Sequence, residues 1–325
     1  MRRTVRFLLA CIGLSVASLA SAQAPAFLLQ WGPYGIGPGQ FTSPAGITVG
    51  TNGDVYVVDR NPHRVEQFTP SGAFVRQWAF ACPARDTCGN PFGIATGPSG
   101  DLFVVDSNNA RIQRFTSTGT LLAQFGSKYP GPGQLSFPTN IAVDAAGYVY
   151  VIDSGNARIV KFNSAGDFVA TWPMHGASPG FPPLESPSGI CVSQDGFVFV
   201  ADSFFDRIQK FTTTGQFVLE WGVEGTDTSA FNSVRGLAVD SRGYVYAADF
   251  GNDRVQVFSS AGNFLTQWKN APLDTWQFLG PTTIAIDSSD DIYVVDGYGL
   301  NILKFGQLPT PTTRGSWGRL KSLFR

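Results

Sequence analysis

Between Val55 and Val65 the chain reads VYVVDRNPHRV, which sets an acid (Asp59), two arginines (Arg60 and Arg64) and one of only two histidines (His63) within six residues. Groups of these types at this spacing could relay a proton or hold an anion. Cys82 and Cys88 stand six apart in ACPARDTCGN. That spacing allows a local disulfide in an oxidising compartment, whereas zinc is disfavoured because no histidine or second cysteine pair sits at ligand spacing. The stretch YGIGPGQF has the glycine content of a phosphate-cradling loop, but no helix pattern follows it, so it reads as a turn. Phe204, Phe205, Phe250 and Tyr298 are aromatic residues on turn-like segments, with Arg235 near them in the repeat described next.

The elements that must position these residues repeat. SPAGITVGTNGDVYVVDRNPHRVEQFTPSGAFVRQW is echoed by NPFGIATGPSGDLFVVDSNNARIQRFTSTGTLLAQF and by four further copies. Asp59, Asp106, Asp153, Asp202, Asp249 and Asp296 recur at intervals of 47, 47, 49, 47 and 47. Each copy holds four short apolar runs parted by turn residues, such as GITV, VYVVD, RVEQF and FVRQW. Runs of that length with glycine turns describe a four-stranded antiparallel sheet that cannot cover its own apolar faces alone. An all-β, six-bladed β-propeller is expected over residues 23–305. The sixth copy stops at Phe305 after three strands, and FLLQW (Phe27 to Trp31) matches FVRQW, so the N-terminal strand is expected to complete the last blade.

The pattern GIAV, then D-x-x-G-x-hydrophobic-Y-V-x-D, then N-x-R-I and QKF, resembles the NHL repeat from Phe27 to Phe305. The resemblance implies a six-bladed propeller and leaves the activity open, since NHL propellers include protein- and RNA-binding modules, sensor ectodomains and a metal-dependent amidating lyase. Such a lyase implies several histidines at the channel, and His63 and His175 on separate loops do not supply them. Other metal-dependent six-bladed hydrolases imply Glu, Asp and Asn ligands at the mouth of the channel, near the starts of the innermost strands. Here those starts carry Ala45, Phe92, Thr139, Asn140, Ser188, Arg235, Thr282 and Thr283, none of them a carboxylate. Neither a metal nor a cofactor is therefore expected.

The repeat also sorts the first candidates. Asp59 with Arg64, Asp106 with Arg111, Asp153 with Arg158, Asp202 with Arg207 and Asp249 with Arg254 recur around the ring and cannot all meet one substrate. They read as structural pairs, while the sixth blade has Asn301 in the arginine position. His63 and Arg60 have no counterparts. They join Phe204, Phe205, Phe250, Tyr298 and Arg235 as a candidate ligand-binding patch on the face that carries the turns between second and third strands.

Composition agrees with a strand-rich chain: 325 residues, 37 Gly and 21 Pro, with 14% charged residues. Residues 1–22 read as a signal peptide, with Arg2, Arg3 and Arg6 ahead of an apolar run and a cut after Ala22, so a secreted or periplasmic protein is expected. Residues 306–325 read as a Pro/Thr linker and a basic, aromatic tail holding Arg314, Arg319, Lys321 and Arg325. The body between leader and tail is acidic, which argues against a nucleic-acid partner. No membrane span is expected. The expectation drawn from the sequence is a monomeric, non-enzymatic binding or scaffold module for a protein, peptide or glycan. The alternative is an exported metal-dependent lyase or hydrolase with its site at the propeller channel.

Overall fold

A computed structural model describes residues 23–80, 89–129, 131–173, 186–269 and 278–309. The leader, Cys82, Cys88, His175 and the tail lie outside the described residues. Six four-stranded antiparallel sheets are arranged as blades. The first blade runs Pro44–Val49, Val55–Asp59, Arg64–Phe68 and Phe74–Ala79 from the inside outwards. Four more copies follow the same order, and the sixth combines Pro281–Ile286, Ile292–Asp296 and Asn301–Phe305 with Phe27–Trp31. That last strand pairs antiparallel with its neighbour, Trp31 opposite Ile302. First and last segments of the chain thus share one sheet. No helix among the described residues is long and apolar enough to cross a membrane.

The second strands explain why the blades need one another. VYVVD, LFVVD, VYVID, VYAAD and IYVVD are buried at every position, because alternate side chains point to opposite faces and each face meets a neighbouring blade. One core cluster joins Phe41, Ile47, Val57 and Phe68 of the first blade to Tyr293, Val295 and Ile302 of the sixth. The ring is closed by this apolar contact as well as by the shared sheet. At the rim, Trp31 lies against the turn glycine Gly72, whose φ of 78° favours glycine and where a Cβ would stand 2.9 Å from the indole. Trp78 and Gly119, Trp172 and Gly215, and Trp221 and Gly262 repeat that contact. The conserved spacing of Trp and turn Gly within this chain therefore has a packing cause.

Candidate functional site

The inner strands run from one face of the disc to the other around a central channel. At the face where they begin, a cavity of about 280 Å³ is lined by Ser43, Ala45, Arg60, Phe92, Thr139, Asn140, Ser188, Arg235, Thr282 and Thr283. All six blades contribute to it. Below it the channel continues between the inner strands as a space of about 240 Å³ lined by Ile47, Ile94, Ile141, Ile190, Leu237 and Ile284. The strand starts picked out by the repeat are therefore the walls of the mouth.

The neutral polar groups of the mouth are held by the frame. The Asn140 amide donates to the Ser188 carbonyl at 3.0 Å and accepts the Ile141 N–H at 2.8 Å, which fixes its orientation. The Ser188 hydroxyl donates to the Val234 carbonyl at 2.8 Å, and Thr139 shares a 2.8 Å hydrogen bond with Ser154. The two cations are held differently. Arg60 stacks its guanidinium over Phe92 of the next blade at 3.9 Å from the ring centroid and donates through Nε to Asn90 at 3.0 Å. Arg235 stacks over Phe250 at 3.3 Å. Neither is within ion-pair distance of a carboxylate among the described residues. Burial pushes both guanidiniums below their ordinary value, and at Arg235 the nearby Tyr298 opposes that shift.

Of the aromatic candidates, Phe250 and Tyr298 extend from Arg235. The Phe250 ring packs against Tyr298 at 5.2 Å, and Phe204 meets Phe205 edge-on at 4.9 Å. Phe204 is 62% exposed and Tyr298 is 71% exposed, while Phe205 and Phe250 are half-buried. Phe205 is covered by the Arg207 guanidinium at 4.9 Å. His63 is not among the residues lining the mouth. It occupies the left-handed position of its turn, φ 65°, which Ala110, Ala157, Asp206, Asp253 and Leu300 occupy in the other blades.

The repeated acids and arginines sit at the edge of each blade. Arg111, Arg158 and Arg254 reach Asp106, Asp153 and Asp249 at 2.8, 2.7 and 2.6 Å. Arg64 lies 3.3 Å from Asp59, and Arg207 stands 3.7 Å from Asp202 while reaching Glu220 at 3.1 Å. The arginines also gather the loop that leads into their blade. Arg254 donates to the carbonyls of Thr226, Asp227 and Ala230, and Arg64 to those of Ile36 and Gln40. YGIGPGQF therefore presents carbonyls to a guanidinium rather than N–H groups to a phosphate. The aspartates accept backbone N–H groups from the same loops, Asp59 from Ser43 at 2.8 Å and Asp249 from Asn232 at 2.8 Å. This double use of each pair was not visible in the sequence, because the loops differ in length and composition.

A divalent cation at the mouth would need anionic oxygen or imidazole donors. Among the described residues the mouth offers one amide, neutral hydroxyls of which those of Thr139, Ser188 and Thr282 are already bonded to the frame, and two guanidiniums that would repel it. Among the described residues no group of three or more His, Cys, Asp or Glu could hold a metal ion. The residues present do not fit a metal, so the metal requirement attached to the lyase or hydrolase alternative finds no support at this position.

Among solved structures, virginiamycin B lyase from Staphylococcus aureus, captured with quinupristin as a catalytically inactive histidine-to-alanine variant, matches with TM-score 0.59 and 18% identity over 84% of this chain and 82% of that one. A gluconolactonase from Xanthomonas campestris matches with TM-score 0.61 and 16% identity over 89% and 98%. At these identities the likeness is one of fold. Protein brain tumor of Drosophila melanogaster is 38% identical over 58 residues, which is 18% of this chain and 6% of that protein. The chain thus spans a small fraction of the curated relatives it matches. The NHL resemblance holds at the level of a six-bladed propeller, and the expectation of a non-enzymatic module is corrected by the family found. The sequence profile of the virginiamycin B lyase family matches residues 34–300, so the chain belongs to that family.

Proposed function

We propose that this protein is an enzyme that cleaves an ester or related acyl bond of a small molecule at the channel mouth, with Arg60 and Arg235 stabilising the negative charge that develops as the bond breaks. The observation that carries this reading is the convergence of all six blades on one cavity, where two guanidiniums have no carboxylate partner among the described residues. Cleaving an acyl–oxygen ester bond by water, or the neighbouring alkyl–oxygen bond by elimination, leaves a carboxylate in both cases, with the proton lost from the water, or from the carbon next to the breaking bond, released to solvent. Fixed cations at a partly dry site favour that product-like charge more than they favour the neutral ester, which is the condition for lowering the barrier. Asn90 and the stacked rings of Phe92 and Phe250 keep the donors in place before substrate arrives, so little reorganisation is needed. Membership of a lyase family supports the enzyme class. Lactones and cyclic depsipeptides are the substrate types to try first.

Mass spectrometry of the product separates the two bond-breaking modes. Ring opening of a cyclic ester by elimination leaves the mass unchanged, whereas hydrolysis adds one water. Turnover of a lactone or depsipeptide by the purified protein, lost on Arg60→Gln with Arg235→Gln, is the expected result. Equal turnover by wild type and the double variant would overturn the assignment of the mouth.

A further inference from the structure

Seven arginines in the described part of the chain are buried or half-buried at the top of the blades, and they divide into two groups. Arg64, Arg111, Arg158, Arg207 and Arg254 each stand opposite the aspartate that ends the second strand. Arg60 and Arg235 depart from the repeat position, belong to the first and fifth blades, and line the same cavity. A guanidinium taken partly out of water without a counter-ion is costly, and burial pushes both of these below the ordinary arginine value. Each has an aromatic ring over one flat face, at 3.9 and 3.3 Å. Stacking of that kind holds the plane while leaving the in-plane N–H groups able to donate, the arrangement that suits a carboxylate. Arg235 in particular spends no N–H on a described side chain or carbonyl, whereas Arg60 spends only Nε, on Asn90.

We infer that the mouth binds a carboxylate, the group that ester cleavage leaves, with an aromatic or similarly flat apolar body lying outwards along Phe250 and Tyr298. This deepens the proposed function and rests on it for the word product, though not for the binding. The stack Arg235, Phe250, Tyr298 runs from the cavity to the surface, where Tyr298 is 71% exposed. Gly280 underlies that stack. A Cβ there would stand 2.7 Å from Phe250 and 3.0 Å from Tyr298, so a glycine is what lets the two rings lie together. Among the described residues that line the cavity none is acidic, so a bound carboxylate meets no like charge there, and the low exposure of the guanidiniums makes the pairing stronger than at an open surface.

Isothermal titration calorimetry with benzoate, benzamide and acetate tests this on the full-length protein. Benzoate should bind, benzamide should bind at least tenfold more weakly because the charge is gone, and acetate at least tenfold more weakly because the flat body is gone. Arg235→Gln and Arg60→Gln should each weaken benzoate tenfold or more, while Arg76→Gln, on an exposed outer strand, should leave it unchanged. Benzamide binding as well as benzoate, acetate binding as well as benzoate, or no heat from benzoate near its solubility limit would overturn the inference. Benzoate binding without turnover of any ester keeps this inference and removes the enzyme reading; turnover of neutral esters without benzoate binding does the reverse.

Discussion

Glu66 stands where the other blades carry Gln113, Val160, Gln209, Gln256 and Leu303, and it is the one buried acid at that position. Its carboxyl is pushed up from 4.5 to about 7, first by burial, against the Gly39 N–H and Arg64, with Asp59 adding to the rise. The Gly39 N–H donates to it at 2.7 Å, and Arg64 lies at 2.6 Å. A folded-state value above the unfolded one means that the fold binds the proton more tightly. The stabilisation is complete below 4.5 and is lost as pH rises through about 7. The full loss is roughly 3 kcal/mol, or about 6 °C in Tm for a domain of this size. Glu66→Gln removes the titration and places an amide where Gln113 and Gln256 already donate to Asp106 and Asp249 at 3.0 Å. The amide oxygen can still accept from Gly39. Calorimetric Tm values between about pH 5 and about pH 8 should show the variant gaining on the wild type as pH rises. A difference that stays constant over that range, or a variant that is the less stable at the alkaline end, would refute the reasoning.

Two further outcomes follow from the same geometry. Arg254→Ala leaves Asp249 buried and takes a donor from three loop carbonyls, of which that of Ala230 keeps another, from Gln256, and that of Asp227 keeps the Ala230 N–H, and it should lower stability by about 3–5 kcal/mol in urea unfolding, as expected when one partner of a buried pair is removed. Arg158→Ala should cost less, because its side chain is 27% exposed and it reaches a single loop carbonyl; equal losses would contradict the loop-gathering role. With the cut after Ala22 and the bridge between Cys82 and Cys88 that the sequence leads one to expect, thiol titration of the denatured, oxidised protein should find one thiol, from Cys191, which is free and buried. Three reactive thiols in a chain shown by intact mass to begin at Gln23 would rule out that bridge.

The fold was legible because every blade repeats the same physical demand. VYVVD and its five counterparts must be apolar on both faces, and a turn glycine lies against Trp31, Trp78, Phe125, Trp172 and Trp221 on the outer strands. The mouth was legible in part, since the register of the repeat points to Ala45, Phe92, Thr139, Asn140, Ser188, Arg235, Thr282 and Thr283 as neighbours around one axis. What the repeat could not show was that Arg60, one residue past a structural aspartate, turns inward onto Phe92 of the next blade. That contact joins residues 32 positions apart through the packing of two sheets, and no local pattern encodes it. The non-enzymatic expectation failed for a related reason. The lack of carboxylates among the described residues of the mouth counts against a bound cation there, but it does not count against chemistry that stabilises negative charge.

The most direct measurement is turnover of a panel of lactones and cyclic depsipeptides by wild-type protein and by the Arg60→Gln, Arg235→Gln double variant, with Tm recorded for both. The account predicts ester cleavage by the wild type and a loss of at least about 2.7 kcal/mol of transition-state stabilisation, roughly a hundredfold in kcat/KM, in a double variant that melts with the wild type. A double variant that cleaves as fast as the wild type would contradict the claim that the channel mouth is where the protein works.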